Sequence, residues 1–169
     1  MERRQSKPRG LAFEAFYQRE YAGAVRLAFV LTGRRDLAEE LAQDSFLTCL
    51  RRWEQVSEYD DPRGWLLRVL TNRCISSGRR HLTELRLLIK LRRERPPGPS
   101  ISEPSDRLWG AVRELPRRQG QVLALAFVED LDVRQIAATL GIGEESVRTH
   151  LRRGRAAIAA RLEEERDDG

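Results

Sequence analysis

The sequence predicts an all-α fold: two small helical domains joined by a flexible, Pro-rich linker, the C-terminal one a helix-turn-helix. Three observations predict it. Apolar residues recur at helical spacing through most of the 169 residues, and no stretch alternates as a strand would. Pro96-Pro-Gly-Pro-Ser100 breaks that periodicity in mid-chain. Near the C-terminus, two short apolar-faced segments meet at Gly141-Ile142-Gly143.

The C-terminal pair carries the clearest signal. Val133, Ile136, Ala137 and Leu140 form one apolar face, and Gly141 falls where the chain leaves that helix, a position that favours a left-handed conformation. Ile142 is placed to plug the corner. The second helix buries Val147 and Leu151 and runs on through Ile158 and Leu162. Its opposite face carries Arg148, Thr149, Arg152 and Arg155, with Arg153 beside them and no acid between Val147 and Arg161. A helix of this kind suits the DNA major groove; the plainer reading is a helical hairpin with a solvated basic face.

Bulk properties point the same way. Charged residues make up 34% of the chain, the net charge is +5 and the pI is about 9.8, which favours a polyanionic partner. Lys7 and Lys90 are the only lysines. Arginine suits bidentate phosphate and guanine contacts, and a GC-rich coding sequence produces the same bias without function. Cys49 and Cys74 stand far apart and His81 and His150 are isolated, so no structural zinc site or disulfide framework can be built; both cysteines read as small buried hydrophobes. No metal, cofactor or catalytic residue is expected. With no signal-peptide pattern and no apolar run long enough for a bilayer, the chain is expected in the cytoplasm without membrane insertion.

In chain order, the N-terminal domain spans 11–81, the linker 82–105, the helix-turn-helix domain 106–162 and an irregular acidic tail 163–169. A first helix from Leu11 to Thr32 carries Phe13, Phe16, Tyr17, Ala24, Leu27, Ala28 and Leu31 on one stripe. Asp36 is placed to cap the next helix, with Glu39 three residues on as a capping box. That helix runs to about Trp53 and buries Ala38, Leu41, Ala42, Ser45, Cys49 and Trp53. Its far side carries Asp36, Glu40, Gln43 and Asp44 around an apolar Leu47. The surface is either a docking face or a solvated face with one stray leucine.

Asp61-Pro62 reads as N-cap and first residue of a third helix, which buries Leu66, Val69 and Leu70. A second stripe on it holds Trp65, Arg68, Asn72 and Arg79, side chains that can stack on unpaired bases and hold a backbone. Trp65 suits the core equally well. After the linker, one helix from Asp106 carries Leu108, Trp109 and Val112, and another runs from Arg117 to Val128.

The order of these parts resembles the bacterial RNA polymerase sigma factors of the extracytoplasmic-function group. The resemblance extends from about Phe13 to Leu162 and rests on four segments: Asp36-Leu-Ala-Glu-Glu-Leu-Ala-Gln-Asp-Ser-Phe46, Pro62-Arg-Gly-Trp-Leu66, Asn72-Arg-Cys-Ile-Ser-Ser-Gly-Arg-Arg80, and Gln135-Ile-Ala to Arg155. It implies a specificity subunit rather than an enzyme, with core RNA polymerase, promoter DNA and an anti-sigma factor as partners. Asp36, Glu40, Gln43, Asp44 and Leu47 would bind a coiled coil of the polymerase. Tyr59, Arg63, Trp65, Asn72, Arg73, Arg79 and Arg80 would capture the downstream promoter element and hold the separated strand. Ser146, Arg148, Thr149, Arg152, Arg153 and Arg155 would serve the upstream element, with Arg148 and Thr149 at the base edges.

Two departures from the family pattern stand out. Ser76 occupies a position where an acid is frequent, and Leu125-Ala-Phe-Val128 lacks a basic residue that the family often places there, leaving Arg117 or Arg118 to compensate. Two other classes use a helix-turn-helix. A free-standing dimeric regulator would need a ligand pocket or dimer seam in the first domain, and a DNA-processing enzyme a nucleophile or metal cluster. The sequence shows none of these.

Overall fold

The computed structural model describes residues 9–92 and 104–167, and within them the chain is helical with short connections. Helix α1 spans Arg9–Thr32, α2 Arg35–Arg51, α3 Trp53–Val56 and α4 Pro62–Arg92. After the interval come α5 (Pro104–Glu114), α6 (Arg117–Phe127), α7 (Val133–Leu140) and α8 (Glu144–Asp167).

The N-terminal half packs along the expected stripes, except that on α4 Leu67 is buried and Val69, expected in the core, is half-buried. Phe16, Ala24, Leu27, Ala28 and Leu31 of α1 are buried against Ala38, Leu41, Ala42, Ser45, Phe46 and Cys49 of α2. Leu66, Leu67 and Leu70 of α4 close the third side. The expected continuous helix to Trp53 breaks at Arg52, whose φ of −112° and ψ of 16° leave the helical range. The break lets the short α3 turn Trp53 inward. There Trp53 meets Phe13 edge-on at 5.3 Å and Phe16 at 5.1 Å, within an aromatic group that includes Tyr17 and Phe46 at 4.8 Å. Such pairs add about 0.5–1.5 kcal/mol each beyond the area they bury.

Asp36 does not cap α2. Arg34, extended at φ −131° and ψ 123°, is the N-cap and offers no side-chain bond; Asp36 lies inside the first turn and pairs with Arg34 at 2.5 Å. The Asp61 expectation is met: its Oδ1 accepts from the Gly64 N–H at 2.8 Å, and Pro62 opens α4.

Two boundaries differ from expectation. α4 takes in the first eleven residues of the expected linker, because the Leu/Arg-rich segment to Arg92 is mostly good helix formers with no glycine or proline. The Pro96–Pro99 part of the linker lies outside the described residues. The acidic tail, expected to be irregular from Glu163, continues α8 to Asp167, since its glutamates favour helix and nothing stops it earlier.

In the C-terminal half, Ala111, Val112, Leu115, Leu123 and Ile158 form a local core. Gly154 suits the close crossing of α8 and α6: a Cβ there would stand 2.8 Å from Leu123 Cδ1, and Leu123 would have to shift. The two halves are also joined. Val122, Ala124, Leu125, Ile136, Ala137, Leu140 and Val147 belong to the same buried cluster as Leu66, Leu67 and Leu70. Arg113 Nη1 donates to the Val30 carbonyl at 2.9 Å, tying α5 to the end of α1.

Candidate nucleic-acid interface

The recognition helix is set by its local chemistry. Asp132 caps α7 by accepting from the Gln135 N–H at 2.8 Å, while the Gln135 side chain accepts from the Asp132 N–H at 2.9 Å. This capping box is written in the sequence as an acid three residues before a glutamine, a signal that the apolar stripes do not carry. Gly141 takes the left-handed conformation at φ 64°, and the Ile142 N–H reaches back to the Ala137 carbonyl at 3.1 Å. Val147 is fully buried, which fixes the rotation of α8.

That rotation turns Ser146, Arg148, Arg152, Arg153 and Arg155 to solvent, with Thr149 half-buried beside them. Arg148 pairs with Glu144 at 3.0 Å and Glu145 at 3.5 Å, exposed contacts of the kind worth at most about 1 kcal/mol. Arg155 lies over the exposed Phe127 ring at 5.2 Å. His150 faces inward; burial, with Arg153 and Arg118 nearby, holds its pKa below the ordinary 6.5.

The downstream group is less uniform. Tyr59 and Arg80 are exposed, Trp65 is half-buried against the core, and the Arg79 side chain lies outside the described residues. Arg73 turns away from the stripe toward α2, donating to Thr48 Oγ1 at 2.7 Å and pairing with Asp44 at 3.6 Å. Asn72, expected to be exposed, is half-buried: its Oδ1 accepts from Arg117 and, at 2.7 Å, from Gln121. Of Arg117 and Arg118, expected alternatives for the missing basic residue, Arg117 is thereby directed at α4 and Arg118 Nη1 donates to Gln121 at 3.1 Å. Arg63 donates to Glu20 at 3.1 Å and to Glu129. Sequence reasoning missed Gln121 and Glu129, because their partners lie 49 and 66 residues away.

On α2, Asp36, Glu40, Gln43 and Leu47 are exposed and Asp44 is partly so, all on the side away from the core. Leu47 is 49% exposed and Leu50 47%. They border a shallow cavity of about 220 Å³ with Phe13, Tyr17, Gln43 and Phe46, so Leu47 sits in an apolar hollow rather than alone. The Arg34 hydrogen bond holds the Asp36 carboxyl below the usual range. Among the described residues no group of His, Cys, Asp and Glu could hold a metal, and no helix is long and apolar enough to cross a membrane. Burial pushes the Cys49 thiol up to about 11 and Cys74 to about 12, so both stay protonated.

Comparison with known proteins decides the family. Residues 16–82 match the description "Sigma-70 region 2" and residues 105–158 match "Sigma-70, region 4". The chain belongs to the sigma-70 family, in the extracytoplasmic-function group. The ECF RNA polymerase sigma factor SigE of Mycolicibacterium smegmatis (strain ATCC 700084 / mc(2)155) is 31% identical over 152 residues, covering 83% of this chain and 58% of that one. SigM of Bacillus subtilis (strain 168), also named an ECF RNA polymerase sigma factor, is 25% identical over 157 residues, covering 89% and 94%. An uncharacterised protein of Rhizobium meliloti (strain 1021) is 32% identical over 146 residues, 74% of this chain. The chain spans 33% of the length of that relative and 58% of SigE. The same fold occurs in the sigma factor RpoE of Bartonella quintana, solved with the anti-sigma factor NepR: the TM-score is 0.66 at 18% identity, over 90% of this chain and 97% of that one. The α2 hollow and the α4 stripe fall inside the region 2 match, and the helix-turn-helix inside region 4.

Proposed function

We propose that this sigma factor binds core RNA polymerase through the outer face of α2 and directs promoter-specific initiation, acting as a specificity subunit rather than an enzyme. The observation that carries this reading is Leu47. It is a half-exposed leucine in an apolar hollow that Gln43 also lines, on a helix whose core stripe is complete without it. Neither folding nor solubility calls for such a residue, whereas a helical partner surface does.

The α8 face reads the upstream element, with Arg148 and Thr149 at base edges and Ser146, Arg152, Arg153 and Arg155 nearer the backbone. Tyr59, Arg63, Trp65, Asn72, Arg79 and Arg80 hold the separated downstream strand, and Arg73 supports α4 from behind through Asp44 and Thr48. The protein works in the cytoplasm, where polymerase is. RpoE was solved bound to an anti-sigma factor, and a partner of that class regulates this chain too. Transcription from a promoter library with purified core polymerase tests the proposal. A sharp sequence preference that appears only when the chain is added supports it. Tight, sequence-specific duplex binding by the free protein, with core polymerase making no difference, would overturn it.

A further inference from the structure

Between α1, α4 and the corner that follows α6 lies a polar cavity of about 290 Å³. Small-molecule sites start at about that size, roughly 300 Å³. Arg19, Glu20, Gly23 and Arg26 line it from α1, Arg63 from α4 and Glu129 from the corner. Three arginines face two acids, so the surplus charge is positive. Of the side chains assigned above to polymerase or DNA, Arg63 alone takes part.

Most of that charge is already paired. Arg63 donates to Glu20 at 3.1 Å and to Glu129, and Arg19 donates to Glu20 at 2.7 Å. Two groups are left over. Arg26 makes no hydrogen bond or ion pair among the described residues. Glu129 has a side chain only 3% exposed; its Oε2 is taken by Arg63, and its Oε1 is buried with no hydrogen-bond partner among the described residues. An unmet buried acceptor is costly, so a ligand that donates to it recovers that cost. The backbone of α1 adds a third sign. Arg19, Gly23 and Arg26 follow at spacings of four and three, which puts them on one helix face. Gly23 has no positive φ, and a Cβ there would meet nothing within 4 Å. Neither backbone nor packing calls for glycine in mid-helix, where it is unfavourable relative to alanine. It leaves the cavity floor open between the two arginines.

We propose that this cavity is a site for inorganic phosphate, with Arg26 and Arg19 holding its charged oxygens and its P–OH donating to Glu129 Oε1. A simple cation would suit Glu129 and be repelled by Arg26. An anion without a proton would suit Arg26 and set a second acceptor against a buried carboxylate. Hydrogen phosphate satisfies both leftover groups from one small molecule, because it is an anion that keeps a hydroxyl at neutral pH. Sulfate has the same shape and no hydroxyl. A phosphate monoester loses its last proton at about pH 6, and an internal phosphodiester of DNA has none to lose. The selectivity therefore resides in Glu129 and the affinity in Arg26. The site stands apart from the promoter contacts, since Arg63 enters it through its pairing with Glu129.

Calorimetric titration of the full chain at about pH 7.5, above that monoester ionisation, tests the site. Sodium phosphate should bind saturably, one ion per chain. Sodium sulfate and glycerol phosphate, with no proton to offer, should bind about ten- to a hundredfold more weakly. Arg26→Gln should weaken phosphate binding about tenfold at unchanged circular dichroism, because Arg26 is exposed and outside the core. Glu129→Gln keeps the side-chain shape and offers an N–H to either anion, so phosphate and sulfate should bind alike. Should Glu129→Gln lose helicity, the wild-type anion series and Arg26→Gln decide. No saturable phosphate binding, equal affinity for phosphate and sulfate in the wild-type chain, or undiminished affinity in Arg26→Gln overturns the inference. Glycerol phosphate binding as tightly as inorganic phosphate overturns it also, since the donor would then play no part.

Discussion

Helix α2 turns Glu40, Gln43 and Leu47 to solvent, whereas α4 has Arg63 and Asn72 engaged by α6 and the corner that follows it. Both helices belong to the same half and pack on the same α1. Their outer faces differ in chemistry. An apolar hollow cannot be satisfied by a short polar corner and stays available for a helix of another protein. A row of arginine and amide groups can be satisfied internally, by one acid and two donors. The difference is one of availability: the outer face of α2 is exposed, and the Arg63 and Asn72 side chains of α4 are engaged by the C-terminal half.

The largest effect that would break this comparison is at Leu47. Leu47→Asp should abolish binding to core polymerase, measured by biolayer interferometry. Burying one leucine is worth on the order of 1.5–3 kcal/mol, about ten- to a hundredfold in affinity, and the new carboxylate adds a desolvation cost. Thermal stability should shift little, because Leu47 lies outside the core. If the variant unfolds instead, α2 is turned the other way and its outer face is core.

The next effect concerns a surface open in the same sense as α2. Arg148→Ala should leave polymerase binding unchanged and weaken discrimination at one position of the upstream element by about 1–3 kcal/mol, read from transcription on promoters varied at that element. Its Glu144 and Glu145 partners are exposed, so freeing them contributes little. Equal loss on every promoter would mark Arg148 as a phosphate clamp and move the base reader to Thr149 or Arg152.

Asn72→Ala sharpens the contrast because it acts on both sides of that contact. Removing the side chain takes away a strand ligand and also leaves Gln121 and Arg117 without their acceptor. Strand opening with polymerase should fall severalfold, seen as weaker permanganate reactivity at the downstream element. Because Asn72 Oδ1 accepts from Gln121 and Arg117, its loss should also destabilise the chain by about 1–3 kcal/mol through the donors left unpaired.

The pattern of success and failure in the sequence reading has a physical origin. Helix stripes were legible, since Leu27, Leu41, Leu66 and Val147 follow a period that burial enforces. The outward position of Leu47 was legible by the same rule. The α2 cap was not, because Arg34 and Asp36 pair with each other two residues apart and the helix starts between them. Trp53 required a break in the helix that no glycine or proline announces. Arg73, named only by the resemblance, lies one residue off the stripe and is captured by Asp44 and Thr48 of a neighbouring helix. Glu129 carries no signal in the sequence, because its partner Arg63 lies 66 residues away and pairing at that separation leaves no local pattern.

The smallest expected effect comes from pH and follows from the charges around Glu129. Arg19, Glu20 and Arg26 face it from α1, Arg63 from α4, and Asp130 from its own corner. Burial pushes its carboxyl above the ordinary 4.5; Arg63 and Arg26 pull it down without cancelling that effect, and Glu20 and Asp130 push it further up. In the folded chain the group therefore binds a proton more readily than in the unfolded chain, where it returns to water. By linkage, its contribution to stability rises as pH falls through the raised value toward 4.5, and that gain is lost as pH rises through the raised value. Near neutral pH the folded state carries an ionised buried carboxylate and this contribution is at its weakest. Lowering the pH in that window should raise the melting temperature of the free chain. Glu129→Gln, which is neutral at every pH and keeps the side-chain shape, should be at least as stable as wild type at neutral pH and should lose this pH response. If the response persists in Glu129→Gln, another titrating group controls it, and the corner is a passive part of the packing.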